Sequence, residues 1–163
     1  MNIKILSIAL FCMSMTLTSF SQTSDAEAEA LINLLGVQKK EAIAKLVSAS
    51  GKDSIAFWKL YDEYTLKNKE TAKSRIKLYE KTALAYGGMT PATADSLAEK
   101  YFDNRIGQEK SLHEYYKKIK SATNAVIAFE FYQAEVYLLT QIRASIMQQI
   151  PTYGQVMAAS KKN

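Results

Sequence analysis

The chain has 163 residues, 48% of them hydrophobic, with a formal net charge of +5, one histidine and one cysteine. This length is enough for one domain with a hydrophobic core, and a single cysteine excludes an internal disulfide. The scarcity of nucleophiles and metal ligands argues against an enzyme, and we predict no catalytic residue and no cofactor.

The first residues have the pattern of an export signal. Residues 1–4 give a short basic start through Lys4, residues 5–17 form an apolar run, and Ser19-Phe20-Ser21 is a small-x-small cleavage site before Gln22. We therefore predict a signal peptide over residues 1–21, cleaved near Ser21, and a periplasmic location. The apolar run is too short for a stable membrane anchor, and nucleic acid is not an expected partner of an exported protein. Loss of one cation, Lys4, lowers the net charge from +5 to +4, which favours acidic polypeptides or anionic surfaces as partners.

The rest of the chain predicts helices separated by glycine and proline. Helices are expected over residues 25–48, 53–86, 91–120 and 122–150, within one domain of residues 22–156 that a polar tail, 157–163, follows. Thr90 is expected to cap the third helix with Pro91 at its first position, and Gly87-Gly88 to form a left-handed turn before it. The predicted fold is all-α: about four long antiparallel helices in a cradle-like or bundle arrangement.

Two helices carry distinctive patterns. An apolar and aromatic stripe recurs at helical spacing along the second helix and is interrupted by Asn68 and Arg75. The fourth helix is apolar around most of its circumference, with Glu130, Glu135 and Arg143 as its only charges. Such a helix is buried or covered by a partner, so we expect either burial between the first two helices or a homodimer. Glu135 and Arg143 are expected to find partners on another helix.

His113 is the only side chain that suggests a metal. Glu109 lies one turn before it, and a histidine with a carboxylate at this spacing can be half of a metal site. Without a second histidine or a cysteine, a surface position is the better interpretation, and no metal ligand is predicted.

Two motifs carry a family resemblance. They are Phe57-Trp58-Lys59-Leu60-Tyr61-Asp62-Glu63-Tyr64 and Phe131-Tyr132-Gln133-Ala134-Glu135, the second continued by Arg143 and Gln149-Ile150-Pro151, with Met89-Thr90-Pro91 between them. Their order resembles the Spy/CpxP-like (LTxxQ-related) periplasmic proteins, in the uncharacterised branch with an F-W-x-x-Y-x-x-Y helix. Thr93 stands where the LTxxQ signature has glutamine. The resemblance implies a helical, often dimeric, cradle-like fold and a role as ATP-independent chaperone, stress adaptor or metal-responsive sensor.

The leading expectation is a periplasmic chaperone-like protein that binds unfolded or partly folded envelope proteins. The alternatives are an envelope-stress adaptor or sensor with one specific protein partner, and a metal-responsive sensor. The residues expected to bind clients are Lys67, Lys69, Lys73, Arg75 and Lys77. The residues of the two motifs, expected to hold the fold, are Phe57, Trp58, Tyr61, Tyr64, Phe131, Tyr132, Gln133, Glu135 and Arg143.

Overall fold

A computed structural model describes residues 25–148, which form helices joined by short connections, with no strand among them. The helices are α1 (Asp25–Leu46), α2 (Gly51–Ala85), α3 (Pro91–Ala122) and α4 (Ala125–Met147), with a short 3-10 helix, Tyr86–Gly88, between α2 and α3. The all-α prediction of four helices is confirmed. The predicted signal peptide and polar tail, and the Gln149-Ile150-Pro151 motif, lie outside the described residues.

The helix starts follow from local chemistry. Thr90 caps α3 by accepting a hydrogen bond from the Thr93 backbone N–H, and Pro91 takes the first helical position as predicted. Asn124 caps α4 in the same way, accepting from the backbone N–H groups of two residues that follow it. Gly51 has a φ of 55°, a left-handed conformation that glycine adopts without a Cβ clash. It is the first residue of α2, which begins two residues earlier than predicted.

The turn between α2 and α3 differs from the prediction. Gly87 and Gly88 continue α2 as one turn of 3-10 helix, and neither has a positive φ, so the expected left-handed turn is wrong. A 3-10 turn satisfies the last carbonyl groups of a helix by i to i+3 hydrogen bonds, and the chain then becomes extended at Met89 (φ −62°, ψ 118°).

The four helices form an antiparallel, up-down-up-down bundle. Cross-helix contacts between α2 and α3 keep one register along their length, as the pairs Tyr64–Tyr115 and Tyr79–Tyr101 show. With 35 and 32 residues, α2 and α3 are longer than α1 and α4, which have 22 and 23. At about 1.5 Å per residue, α2 and α3 are about 15–20 Å longer than α1 and α4. The α2–α3 hairpin therefore projects beyond the other two helices at the end opposite the α1–α2 and α3–α4 loops.

An aromatic layer forms the centre of the core. The ring of Phe131 on α4 contacts Tyr64 edge to face at 5.3 Å and both Phe57 and Tyr61 at 6.3 Å. Edge-to-face pairs of this kind add stability beyond the area that they bury. All four rings are buried, so the two sequence motifs meet in the core.

Only one face of α4 is buried. Ile127, Phe131 and Ala134 pack against the core, and α4 contacts α3 and α1. The opposite face leaves Phe129 55% exposed and Val126 64% exposed. One face of α4 is therefore buried, mainly against α3 and α1 and not between α1 and α2 as predicted, and the homodimer stays a prediction.

Phe131→Ala should lower the free energy of unfolding by about 3–5 kcal/mol, because it leaves a cavity in the aromatic layer. The exposed Phe129→Ala should cost less than about 1 kcal/mol. Urea unfolding of the two variants checks both values. Equal losses would contradict the assignment of Phe131, and not Phe129, to the core.

Candidate binding surfaces

An open groove of about 360 Å³ lies between α3 and α4 on the outside of the bundle. We call its lining residues the aromatic groove: Glu109, Leu112, His113 and Tyr116 from α3, and Phe129 and Tyr132 from α4. The α3 residues follow one another at helical spacing of i, i+3, i+4 and i+7, so they share one face of that helix. The exposed ring of Phe129 supplies an apolar wall in contact with water.

Basic residues lie at both ends of the aromatic groove. Arg105 is four residues before Glu109, and Lys120 is four residues after Tyr116, so both lie on the same helical face as the groove. Both side chains are exposed. Glu109 on the same face is acidic and lines the groove, so the two cations lie beyond its ends while most of its lining is apolar.

A second groove, of about 710 Å³, lies between α2 and α3. Among its lining residues, the charged ones are Lys73, Lys77, Lys81, Lys100, Glu70 and Asp103, and we call it the lysine groove. Its three α2 lysines follow one another at i, i+4 and i+8, a spacing at which like charges repel. The groove carries an excess of positive charge that would favour an acidic partner.

The five predicted client-binding residues do not form one open surface. Lys73 and Lys77 line the lysine groove, whereas Lys67 forms an ion pair with Glu114 at 2.6 Å. Lys69, like Lys73 and Lys77, is half-buried and has interactions of its own. Sequence periodicity could not separate these lysines, because all of them lie on polar stretches of one helix.

Arg75 lies between α2 and α3. Its Nε donates to Asn104 Oδ1 at 2.9 Å, its guanidinium also contacts Gln108 Oε1, and Asn104 donates to the Thr71 carbonyl at 3.0 Å. Burial, and secondarily the nearby Arg143, lowers the pKa of Arg75 from its ordinary value. This geometry gives Arg75 a role in pairing the two helices.

The carboxylate of Glu135 is buried in the bundle with 0% exposure. Lys39 Nζ on α1 lies 2.8 Å from Glu135 Oε2, and the Tyr64 hydroxyl donates to the same oxygen at 2.9 Å. Gln108 Nε2 donates in turn to the Tyr64 hydroxyl at 3.0 Å. Burial, then the charge of Glu135, raises the pKa of Tyr64 above its ordinary range. The prediction that Glu135 has a partner on another helix is confirmed.

Lys39 and Gln108 are residues that sequence reasoning missed. Lys39 is one of two adjacent lysines, and only the packing shows that Lys39 points to Glu135 while Lys40 pairs with Asp62 at the surface. Gln108 had no signal in the sequence, because Asn104 and Ser111, its neighbours about one turn away on α3, are polar as well.

The remaining residues of the two motifs lie at the edges of the core. Trp58 is half-buried against the core, with Lys40 Nζ 5.4 Å from its ring centre. Tyr132 lines the aromatic groove, and Gln133 is exposed. Arg143 is close enough to Tyr79 to oppose the rise that burial causes in the pKa of Tyr79.

His113 and Glu109 both line the aromatic groove. Among the residues that the structure describes, no group of three or more histidine, cysteine, aspartate or glutamate side chains is placed to hold a metal ion. Within that same part of the chain, no helix is long and apolar enough to cross a membrane.

Comparison with known proteins assigns no family: no family model matches the chain, and neither a curated protein nor a solved structure is significantly similar to it. The geometry described above therefore carries the functional argument.

Replacing Glu135 by Gln should lower the free energy of unfolding by about 3 kcal/mol, because it leaves Lys39 without its buried counter-ion. Asp62→Asn is the matched control: it breaks the exposed Lys40–Asp62 pair and should cost at most about 1 kcal/mol. Urea unfolding measures both losses. Similar small losses would show that Glu135 is hydrated in solution.

Hydrogen bonds from Lys67 and then Lys118 lower the pKa of Glu114 from 4.5 to about 2. A lowered pKa means that the ion pairs contribute stability above about pH 4.5 and lose it as the pH falls toward 2. An NMR titration of the Glu114 carboxyl should have its midpoint near 2, moving toward 4.5 in Lys67→Gln. Lys81→Gln, about 20 Å farther along α2 than Lys67, should leave it unchanged, and an unshifted midpoint in Lys67→Gln would show that Lys67 is not held by Glu114.

Proposed function

We propose that this protein is a periplasmic, ATP-independent chaperone-like protein that binds unfolded or partly folded envelope proteins. The observation that carries the proposal is the aromatic groove, an apolar depression with basic residues beyond both ends. The export signal and the resemblance to Spy/CpxP-like proteins support the location and the class of client.

The groove suits loose apolar contact with an unfolded chain. Rings such as Phe129 and Tyr132 supply large contact area with few rotatable bonds, so binding orders little of the protein itself. Exposed apolar side chains that cluster in this way mark interaction sites more often than isolated ones do. The groove is also open to solvent and not enclosed, which would admit segments of different sequence.

The charges favour clients with acidic segments. Arg105 and Lys120 flank the groove on the same helical face, and the lysine groove adds further cations on the opposite side of α3. Long-range attraction between these cations and an acidic chain would speed encounter more than it would strengthen the final complex. A client that reaches both grooves would have to cross α3.

Aggregation suppression tests the proposed chaperone function. The protein is mixed without ATP with two unrelated unfolding clients at low and high salt, and light scattering is followed. We expect suppression of both clients near stoichiometric ratios. It should weaken with salt, because the Debye length falls from about 10 Å at 0.1 M to about 3 Å at 1 M.

A variant of the aromatic groove tests whether this surface is the one that suppresses aggregation. Phe129→Ser combined with Tyr132→Ser should weaken suppression about fivefold or more, which corresponds to about 1 kcal/mol. Leu66→Ser is the matched control, because Leu66 is 74% exposed on α2 and is not a lining residue of the groove. Equal activity of the two variants would remove the groove from the proposal.

Suppression of neither client would reject the chaperone proposal. Binding of a single envelope protein by the same groove would then favour the adaptor function. The two outcomes differ in selectivity: a chaperone acts on unrelated clients, whereas an adaptor binds one.

A further inference from the structure

The aromatic groove holds one carboxylate among its rings. Three of its lining residues are aromatic, Tyr116, Phe129 and Tyr132, and Glu109 is the acidic one. The Glu109 side chain is exposed and has no ion pair among the described residues, not even with Arg105 one turn before it. A negative charge without a counter-ion therefore lies beside an aromatic wall.

Elsewhere in the bundle, lysines of the chain itself lie against aromatic rings. Lys40 Nζ lies 5.4 Å from the ring centre of Trp58, and Lys118 Nζ lies 4.4 Å from that of Tyr115. A cation within about 6 Å of a ring centre is attracted by the negative face of the ring. These outer rings therefore already have a cation of their own.

The rings of the aromatic groove have no such partner. Among the described residues, no lysine or arginine lies over Tyr116, Phe129 or Tyr132, and none of the three contacts another ring. Phe129 is 55% exposed and Tyr132 37% exposed. The groove thus presents ring surface and a carboxylate together, which is the combination that recognises an organic cation.

We propose that the aromatic groove binds an arginine side chain of a client segment. The guanidinium stacks on the rings and donates to the Glu109 carboxylate, while its aliphatic stem covers apolar lining. A guanidinium suits the site better than an ammonium, because it is planar, more weakly hydrated and able to donate two parallel hydrogen bonds to one carboxylate. The inference rests on the proposed function, because it names the client side chain that the groove selects.

The charges along α3 specify the neighbours of that arginine. At about 1.5 Å per residue, Arg105 lies about 6 Å before Glu109 on the helix and Lys120 about 16 Å after it. Because an extended peptide rises about 3.3 Å per residue, the complementary segment has acidic residues about two positions to one side of the arginine and about five to the other. Such a segment is acidic overall, so the basic protein still attracts it.

Fluorescence anisotropy of labelled peptides tests the site on the intact protein. The probe carries the arginine and its two acidic neighbours in a glycine and serine background, in both chain directions. A second peptide has citrulline, the neutral isostere of arginine, in its place, and a third has leucine. We expect the arginine peptide to bind at least about fivefold more tightly than either of the others. Equal binding of the arginine and citrulline peptides, tighter binding of the leucine peptide, or binding of none would overturn the proposal.

A charge variant tests the role of the carboxylate. Glu109→Gln should weaken binding of the arginine peptide about fivefold and leave the citrulline peptide within about twofold. Glu99→Gln is the matched control, because Glu99 is exposed on the same helix and lines neither groove. It removes the same charge and should leave both affinities unchanged. Equal losses in the two variants would show that net charge governs binding and would overturn the proposal.

A ring variant separates the aromatic face from its apolar area. Phe129→Leu keeps most of the apolar surface but removes the negative ring face, so the affinity for the arginine peptide should fall about threefold. The affinity for the leucine peptide should stay the same. An equal loss for both peptides would leave the ring with apolar contact alone and contradict the proposal.

These binding measurements and aggregation suppression fail separately. Suppression by the groove without a preference for arginine would overturn this inference and leave the proposed function standing. A preference for the arginine peptide in a protein that suppresses no aggregation would keep the site and reject the chaperone function.

Discussion

The buried carboxylate of Glu135 is the constraint on which the arrangement of three helices depends. A desolvated negative charge is tolerated only with a close counter-ion and hydrogen-bond donors. Lys39 supplies the charge from α1 and Tyr64 supplies a donor from α2. Because Phe131 lies one turn before Glu135 on α4, the same contacts bring its ring into the aromatic layer. The polar contact thus sets the register, and the packed rings supply most of the stabilisation.

Polar contacts continue from this point along the α2–α3 interface. Gln108 joins Tyr64 to Arg75, and Asn68 donates to the Ser111 hydroxyl at 2.8 Å. Asn68 and Arg75 are the positions that interrupt the apolar stripe of α2, and each has a partner on α3. A satisfied polar group in an apolar interface penalises a shift in register, because a shift would leave it unpaired. The long hairpin therefore keeps one pairing where apolar contacts alone would permit sliding.

The same packing explains where the candidate binding surfaces lie. Since α4 turns its Phe131 face to the core, the face that carries Phe129 remains outside and forms the aromatic groove with α3. The lysine groove lies on the other side of α3, so this helix separates an apolar surface from a basic one. Such a division suits the proposed binding of unfolded chains, in which charge brings a segment to the protein and rings hold it.

Local sequence signals determined much of the fold. Thr90 and Pro91 marked the start of α3, the aromatic spacing marked the core face of α2, and a charged residue on an apolar helix, Glu135, required a partner elsewhere. These features depend on neighbours within a turn or two of helix, so the sequence alone contains them. The two motifs that suggested a family resemblance likewise included the rings that meet in the core.

Tertiary structure decided what long side chains do and which helix faces are covered. Lys39, Lys67 and Arg75 look alike in sequence as cations on helices, yet one neutralises a buried charge, one pairs at the surface and one joins two helices. A flexible side chain takes its role from the groups that packing brings near it, and those groups are distant in the chain. For the same reason the sequence showed that α4 is apolar but not that Phe129 faces water, because exposure depends on where the other three helices lie.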